Sequence, residues 1–217
     1  MERYLRPTDT FVDVGANIGI HTLAAATVLR TAGRIFSFEP SPRTFSLLEA
    51  TVQLNRINQA VELYEAAASD SDGERTLHFG DTCGHDSLFP VEAASNKSIN
   101  AKTLKLDDVL GSTDRVDFIK VDVGGAELST LRGASGVIAK NRDVAIIVEY
   151  GPSHLRRAGQ ESTDWFDAFA EAGQIYKVIN EQDGSLFDAS MTDLESIDSV
   201  NLFFARPESS AWERVAA

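Results

Sequence analysis

Short β-rich apolar runs alternate with helix-length segments through most of this chain. Such alternation implies βαβ units, and so a mostly parallel sheet with helices on both faces. The first run, Thr10-Phe11-Val12-Asp13-Val14, ends at Gly15, and an Ala- and Leu-rich helix is predicted from about Ile18 to Arg30. The second run, Arg34 to Phe38, ends at Glu39-Pro40. Ser41 is placed to cap the next helix, with Pro42 at its first position, where a missing N–H costs nothing. That helix reaches about Arg56, and Val61 to Ala66 is the third run.

Residues 70–105 interrupt the pattern. Asp72-Gly73 is a turn signal between two β-capable stretches, Glu65 to Ser69 and Arg75 to Phe79. The stretch Ile99 to Leu104 reads as a further short strand, and Leu106 to Leu110 as a short helix. Regularity returns with a strand at Val116 to Val121, a helix over Ala126 to Ala139, a strand at Val144 to Val148 and a helix over Thr163 to Ala172. The runs Ile175 to Ile179 and Val200 to Phe204 have no helix-length pattern between them, so they are expected to pair antiparallel. Six parallel strands and one antiparallel closing strand make a seven-stranded sheet.

With 217 residues, 43% hydrophobic and 24% charged, the chain suits one globular domain. Its net charge of −13 repels phosphate backbones and anionic membranes, which argues against a nucleic-acid partner. No apolar run approaches the roughly 20 residues that span a bilayer, and the opening MERYLRPTDT has no signal-peptide core. The lone cysteine, Cys83, forbids an intrachain disulfide and a multi-thiolate metal site. A cytoplasmic protein, with a homo-oligomer allowed, is the expectation.

In an open parallel sheet, ligands bind beyond the carboxyl ends of the strands, at the switch point of the topology. The turn Asp13-Val14-Gly15-Ala16-Asn17-Ile18-Gly19 stands there. Gly15 and Gly19 permit a tight turn and a close ligand approach. Asn17 occupies the place of the middle glycine in the dinucleotide fingerprint, where its side chain would crowd a pyrophosphate. S-adenosylmethionine has no phosphate and tolerates it. Asp13 orders the glycine loop or meets the ammonium group of that cofactor. Glu39, 20 residues beyond Gly19, is spaced to accept hydrogen bonds from ribose hydroxyls. Ala67, just past the third run, and Ser87, in the irregular loop, complete the candidate cofactor contacts, together with Asp122.

The segments FVDVGANIGIHTL (Phe11 to Leu23), Phe38-Glu39-Pro40-Ser41-Pro42, Phe118-Ile119-Lys120-Val121-Asp122-Val123, Ala126-Glu127-Leu128 and Asn201-Leu202-Phe203-Phe204 together resemble the FkbM family of methyltransferases. Thr103 to Asp108 is similar to that family's segment before the fourth strand. The resemblance runs from about residue 10 to 206. It implies an α/β class I methyltransferase (Rossmann-like) fold and S-adenosylmethionine-dependent O-methylation of a small molecule, sugar, glycolipid or polyketide hydroxyl. One departure stands out: where the family carries I-K-x-D-x-E-G-x-E, this chain has Gly124 in place of the first glutamate.

Lys120 lies in a run that should be covered on both faces, and a buried ammonium needs a partner. Asp122, two residues on, shares its face. Glu149 ends the next strand, which the class I order makes a neighbour. The three are read either as a structural ion-pair network or as chemistry beside the transferred methyl group. In the second reading Asp122 is the first candidate for base or hydroxyl anchor and Glu149 the second. Glu127, in the first turn of a helix, suits the helix dipole with or without a direct role.

Among the four histidines, His85 and His154 are candidate loop-borne bases, His21 either faces the site or packs, and His78 is structural. No zinc spacing is present. A magnesium ion on Asp122 and Glu149 is compatible with their oxygens and not required. Two rivals remain: a nicotinamide-dependent oxidoreductase, and a cofactor-binding module with degenerate catalysis, for which Gly124 speaks.

Overall fold

In a computed structural model, which describes residues 4–80, 86–90 and 97–216, the first half of the alternation folds as the sequence implies. The elements are β1 (Thr10–Val14), α1 (Ile20–Leu29), β2 (Arg34–Phe38), α2 (Pro42–Leu54) and β3 (Val61–Tyr64). The irregular segment carries β4 (Ala67–Ala68), β5 (Gly73–His78), β6 (Ser98–Leu104) and α3 (Leu106–Leu110). Then follow β7 (Phe118–Val121), α4 (Glu127–Gly133), α5 (Ser135–Lys140), β8 (Ala145–Tyr150), α6 (Pro152–Arg157) and α7 (Ser162–Glu171). The chain closes with β9 (Ile175–Ile179), β10 (Leu186–Phe187), α8 (Met191–Leu194), β11 (Val200–Ala205) and α9 (Ala211–Ala216).

The main sheet has the order β10-β9-β11-β8-β7-β1-β2-β3. Strands β3, β2, β1, β7 and β8 pair in parallel, while β11 inserts antiparallel between β8 and β9. The expected antiparallel pairing of the last two long strands is therefore found. The sheet has eight strands rather than seven, because the two-residue β10 pairs antiparallel with β9. Too short for any periodicity, it cannot be seen in the sequence.

Two further expectations are corrected. The strands flanking Asp72-Gly73 do not pair with each other: β6 lies between them, parallel to β4 and antiparallel to β5, in a separate three-stranded sheet. The helix expected over Ala126 to Ala139 is broken at Ala134. The cause is Asp107 of α3, whose carboxylate accepts the backbone N–H groups of Gly136 (2.9 Å) and Val137 (2.8 Å) and so caps a second helix start.

Strand alternation sorts the core onto the two faces. Val12, Val14, Ile119, Val121, Ile146 and Val148 pack on one side with α4, α5 and α7, around the fully buried Trp165. Phe11, Phe118 and Ala145 pack on the other with α1 and α2. Asp13, Lys120 and Glu149 continue this second set by alternation, so the polar residues of β1, β7 and β8 rise on the α1 side near the strand ends. At the opposite ends of β1 and β7, Arg214 of α9 pairs with Asp9 and reaches Asp117, tying the last helix to the segment before β1. No helix among the described residues is long and apolar enough to cross a membrane.

Candidate active site

Beyond the carboxyl ends of β1, β2, β7 and β8 lies a cavity of about 460 Å³, within the range of about 300–1,000 Å³ usual for small-molecule sites. Gly15, Asn17, Glu39, Ala67, Ser87, Lys120, Asp122, Glu149 and His154 all line it. His21 does too. Burial and the neighbouring Lys120 charge lower the pKa of its imidazole. His78 sits in β5, paired with Ser98, and His85 lies outside the described residues.

The glycine turn is built by backbone contacts. Gly15 adopts φ +77°, and a Cβ there would stand 1.9 Å from the carbonyl oxygen of Asp122. Its N–H and that of Ala16 donate to the Phe38 carbonyl, at 3.0 and 2.9 Å. Asn17 is also left-handed, φ 51°, a conformation that asparagine tolerates better than most residues. Its side-chain Oδ1 is buried without a hydrogen-bond partner among the described residues.

Two of the expected cofactor contacts, Asp13 and Gly19, do not line the cavity. Asp13 does not reach the cavity: it is fully buried, and its Oδ2 accepts the Thr22 hydroxyl at 2.7 Å. Its carboxylate fastens the start of α1 to β1, the loop-ordering alternative of the two. Gly19 does not line the cavity either, since the Cβ it lacks would lie 2.8 Å from Leu48 Cδ1 of α2. It is a packing glycine between two helices. Ser41 stands at the helix start as expected, with Pro42 after it, but its hydroxyl caps no N–H. Its own N–H donates to Glu39 Oε1 at 2.9 Å.

Glu39 takes the N–H of Asn17 on Oε2 at 3.0 Å as well as that of Ser41, so its carboxylate clamps the glycine turn to the start of α2. Burial outweighs these two bonds and pushes its pKa up to about 7. Each oxygen keeps a lone pair for a further donor.

On the far wall, Lys120 Nζ and Asp122 Oδ2 are 3.0 Å apart; the lysine side chain is 8% exposed and the aspartate 46%. Glu149 is more enclosed, 25% exposed, with His154 Nδ1 3.8 Å from its Oε2. Burial, and then the charge of Asp122, push the Glu149 pKa up to about 7, against a hydrogen bond from Ser199 that lowers it. The acidic pair therefore divides: the open carboxylate holds the lysine, and the enclosed one is poised to take up a proton near neutrality. Ser87 directs its hydroxyl to the Gly124 carbonyl at 3.0 Å and accepts the Phe89 N–H at 3.1 Å. In this arrangement the Ser87 proton goes to the protein backbone rather than into the cavity. Among the described residues, no group of three His, Cys, Asp or Glu side chains is placed to hold a metal ion.

Behind this wall, Glu127 is fully enclosed. Its Oε1 accepts the Gly125 N–H at 2.9 Å, and Oε2 has no partner among the described residues. Burial raises its pKa from 4.5 to about 7. Below 4.5 the group is protonated whether folded or not, and its stabilising contribution is complete; as the pH rises through 7 that contribution is lost. Wild-type stability should therefore fall between pH 6 and 8, with Glu127 responsible for about 1 kcal/mol of the fall. Urea melts at both pH values should show a shallower fall for Glu127→Gln; an unchanged slope would contradict the assignment.

Arg157 is a wall residue with no counterpart among the sequence candidates. It comes from α6 and donates from Nη2 to the Gly124 carbonyl at 2.8 Å. The helix that carries it falls in a stretch read as loop. The pair Gly151-Pro152 was the available signal, since proline at the first helical position marks a helix start.

An open, mostly parallel sheet with this strand order and a cleft at its switch point is the class I, S-adenosylmethionine-dependent methyltransferase fold. The solved structure of methyltransferase FkbM from Methylobacillus flagellatus superposes with a TM-score of 0.59 at 17% identity, covering 92% of this chain and 44% of that one. The sequence matches the methyltransferase FkbM domain over residues 13–176, and the chain belongs to that family. It is 32% identical over 191 residues to the 31-O-demethyl-FK506 methyltransferase FkbM of Streptomyces tacrolimicus, covering 84% of this chain and 69% of that protein. To the hexuronic acid methyltransferase AglP of Haloferax volcanii it is 28% identical over 145 residues, 66% of this chain and 57% of the relative. The chain spans 57% to 61% of the length of several curated relatives that it matches.

Proposed function

We propose that the protein methylates a hydroxyl group of a small molecule or sugar, with S-adenosylmethionine as donor. The observation that carries this reading is the meeting, in one cavity, of the Gly15–Asn17 turn and Glu39 with the Lys120, Asp122 and Glu149 set. Relatives named for an O-demethylated FK506 acceptor and for a hexuronic acid support the hydroxyl and the sugar. The residues present fit the donor: Glu39 has lone pairs for ribose hydroxyls, and the orphaned Asn17 Oδ1 suits the ammonium of its methionine part. An acidic wall suits a sulfonium cation.

When bound, S-adenosylmethionine supplies an electrophilic methyl group on a positively charged sulfur. Gly15 and Asn17 would hold the donor along the backbone of the turn. Asp122, fixed by Lys120, anchors the acceptor hydroxyl, and Glu149 accepts its proton as the oxygen is alkylated. His154, beside Glu149, is placed to carry that proton onward to solvent. Glu149 replaces Asp122 as the first candidate for the base because it is the enclosed carboxylate with a raised pKa. The base must be ionised to act, so kcat/KM should rise with pH through an apparent value near 7 and level off above it.

Glu39→Gln should weaken S-adenosylhomocysteine binding roughly ten- to a hundredfold in calorimetry, because charged acceptors are replaced by one neutral one. Unchanged affinity would sink the placement of the donor. A thermal-shift comparison of NADH with S-adenosylhomocysteine separates this reading from a nicotinamide enzyme, which would share the fold type and Glu39. The degenerate-module reading, favoured by Gly124, predicts donor binding with no methyl transfer to any hydroxyl acceptor tried.

A further inference from the structure

The charges around the cavity are unevenly matched. Carboxylates line it at Glu39, Asp86, Asp122 and Glu149. Lys120 is already paired with Asp122, and His154 lies against Glu149. Arg157 is different: it forms no ion pair among the described residues, and its one hydrogen bond goes to the neutral carbonyl of Gly124. Its Nε is buried without an acceptor. Glu127 acts on it only as a charge at longer range, from behind the turn. Leaving guanidinium donors short of acceptors in a partly desolvated wall is costly unless a ligand completes them.

The space beside this guanidinium is kept open by the absence of a side chain. A Cβ on Gly124 would stand 3.3 Å from Arg157 Nη2, and 4.0 Å from both Ser87 Oγ and the Asp86 carbonyl oxygen. Any longer side chain at this position would cover Arg157. The backbone there has φ +57°, which glycine adopts at least cost.

We infer that Arg157, half-buried beside the open space left by Gly124, is the receptor for a carboxylate carried by the acceptor, so that the substrate is a hydroxy acid rather than a neutral alcohol. A guanidinium presents two parallel N–H groups that match a carboxylate. The Arg157 guanidinium, without an ion pair among the described residues, offers a partner to a single carboxylate; the second charge of a phosphate dianion would find none and would add to the repulsion from Asp86 and Glu149. The Lys120, Asp122 and Glu149 set lines the same cavity, so a molecule anchored on Arg157 can offer a hydroxyl to it. The inference rests on the methyltransferase reading for the fate of that hydroxyl, but not for the binding of the acid.

The test uses three hydroxy acids, glucuronate, salicylate and 3-hydroxybutyrate, against their neutral counterparts glucose, salicyl alcohol and 1,3-butanediol. Binding is followed by ligand-observed NMR, with and without saturating S-adenosylhomocysteine. At least one acid should bind the wild type roughly tenfold or more tightly than its neutral partner, and Arg157→Gln should remove that preference. Arg157→Lys should keep part of it, because the charge stays and the fork is lost. Gly124→Glu should abolish it by placing a carboxylate against the guanidinium, which covers the case in which the arginine variants unfold. Equal binding of acids and neutral partners, an Arg157→Gln variant that keeps the preference, or glucose 6-phosphate binding more tightly than every acid would each overturn the inference. Failure of S-adenosylhomocysteine to shift the melting temperature, with Arg157-dependent acid binding intact, would overturn the donor reading and leave this one standing.

Discussion

Gly15→Ala should destabilise the protein by on the order of 4 kcal/mol or more, and abolish S-adenosylhomocysteine binding in whatever fraction stays folded. The added Cβ would lie 1.9 Å from the Asp122 carbonyl oxygen. Both ends of that contact are fixed by the backbone, the Cβ at the end of β1 and the carbonyl oxygen just past β7, and these strands are paired along their length. No rotamer change relieves it; the central strands must separate or the turn must rebuild. Gly124→Ala is the control. It too has positive φ, but its nearest neighbour is the end of the Arg157 side chain at 3.3 Å, which can move. Its cost should be about 1–2 kcal/mol, that of the backbone conformation alone. Urea denaturation of the two variants measures the difference, and equal values would remove the close approach as the reason for glycine at position 15.

The second large effect is on turnover. Glu149→Gln should lower kcat by roughly 10²–10⁴ while S-adenosylhomocysteine affinity changes by no more than a few fold. The amide keeps the shape and the bond from Ser199 but cannot accept a proton. The rise of kcat/KM with pH near 7 should vanish with it, since burial of this carboxylate is what sets that value. Asp122→Asn should behave differently. It removes the ionic partner of the nearly buried Lys120, so it should lower stability as well as rate. Transfer of a labelled methyl group to a panel of hydroxyl acceptors provides the rate. A Glu149→Gln enzyme with normal turnover and an unaltered pH profile would return the role of base to Asp122 or His154.

The glycine turn and Glu39 were legible in the sequence because their signals are local. Backbone that must turn left-handed beneath a strand leaves glycine or asparagine behind, and the acidic residue follows at a fixed spacing. Lys120 and Asp122 were legible from the two-residue period of a strand. Direction was harder. Asp13 adjoins the turn in sequence, yet its carboxylate points under α1 to Thr22, and only the packing of α1 against the sheet decides that. Gly19 reads as part of the ligand loop, but the contact that needs it comes from Leu48, 29 positions along the chain. Which of Asp122 and Glu149 is the more enclosed was hidden for a related reason: it depends on β11 and α6 closing around Glu149. Arg157 stayed hidden because a six-residue helix has fewer than two turns and no period to detect.

The position of β11 has a bearing on how this protein reaches its fold. It is the last strand in chain order, yet it fills an interior slot between β8 and β9. A nascent chain that has delivered everything up to β9 holds two strands whose facing edges have no partner. The aromatic residues destined to meet Phe203 and Phe204 are still open to solvent at that stage. Pairing there joins segments far apart in sequence, which slows the search for the native register. The interval before β11 arrives is thus when the chain is most exposed to edge-to-edge association, and when a chaperone that covers open strands would matter most.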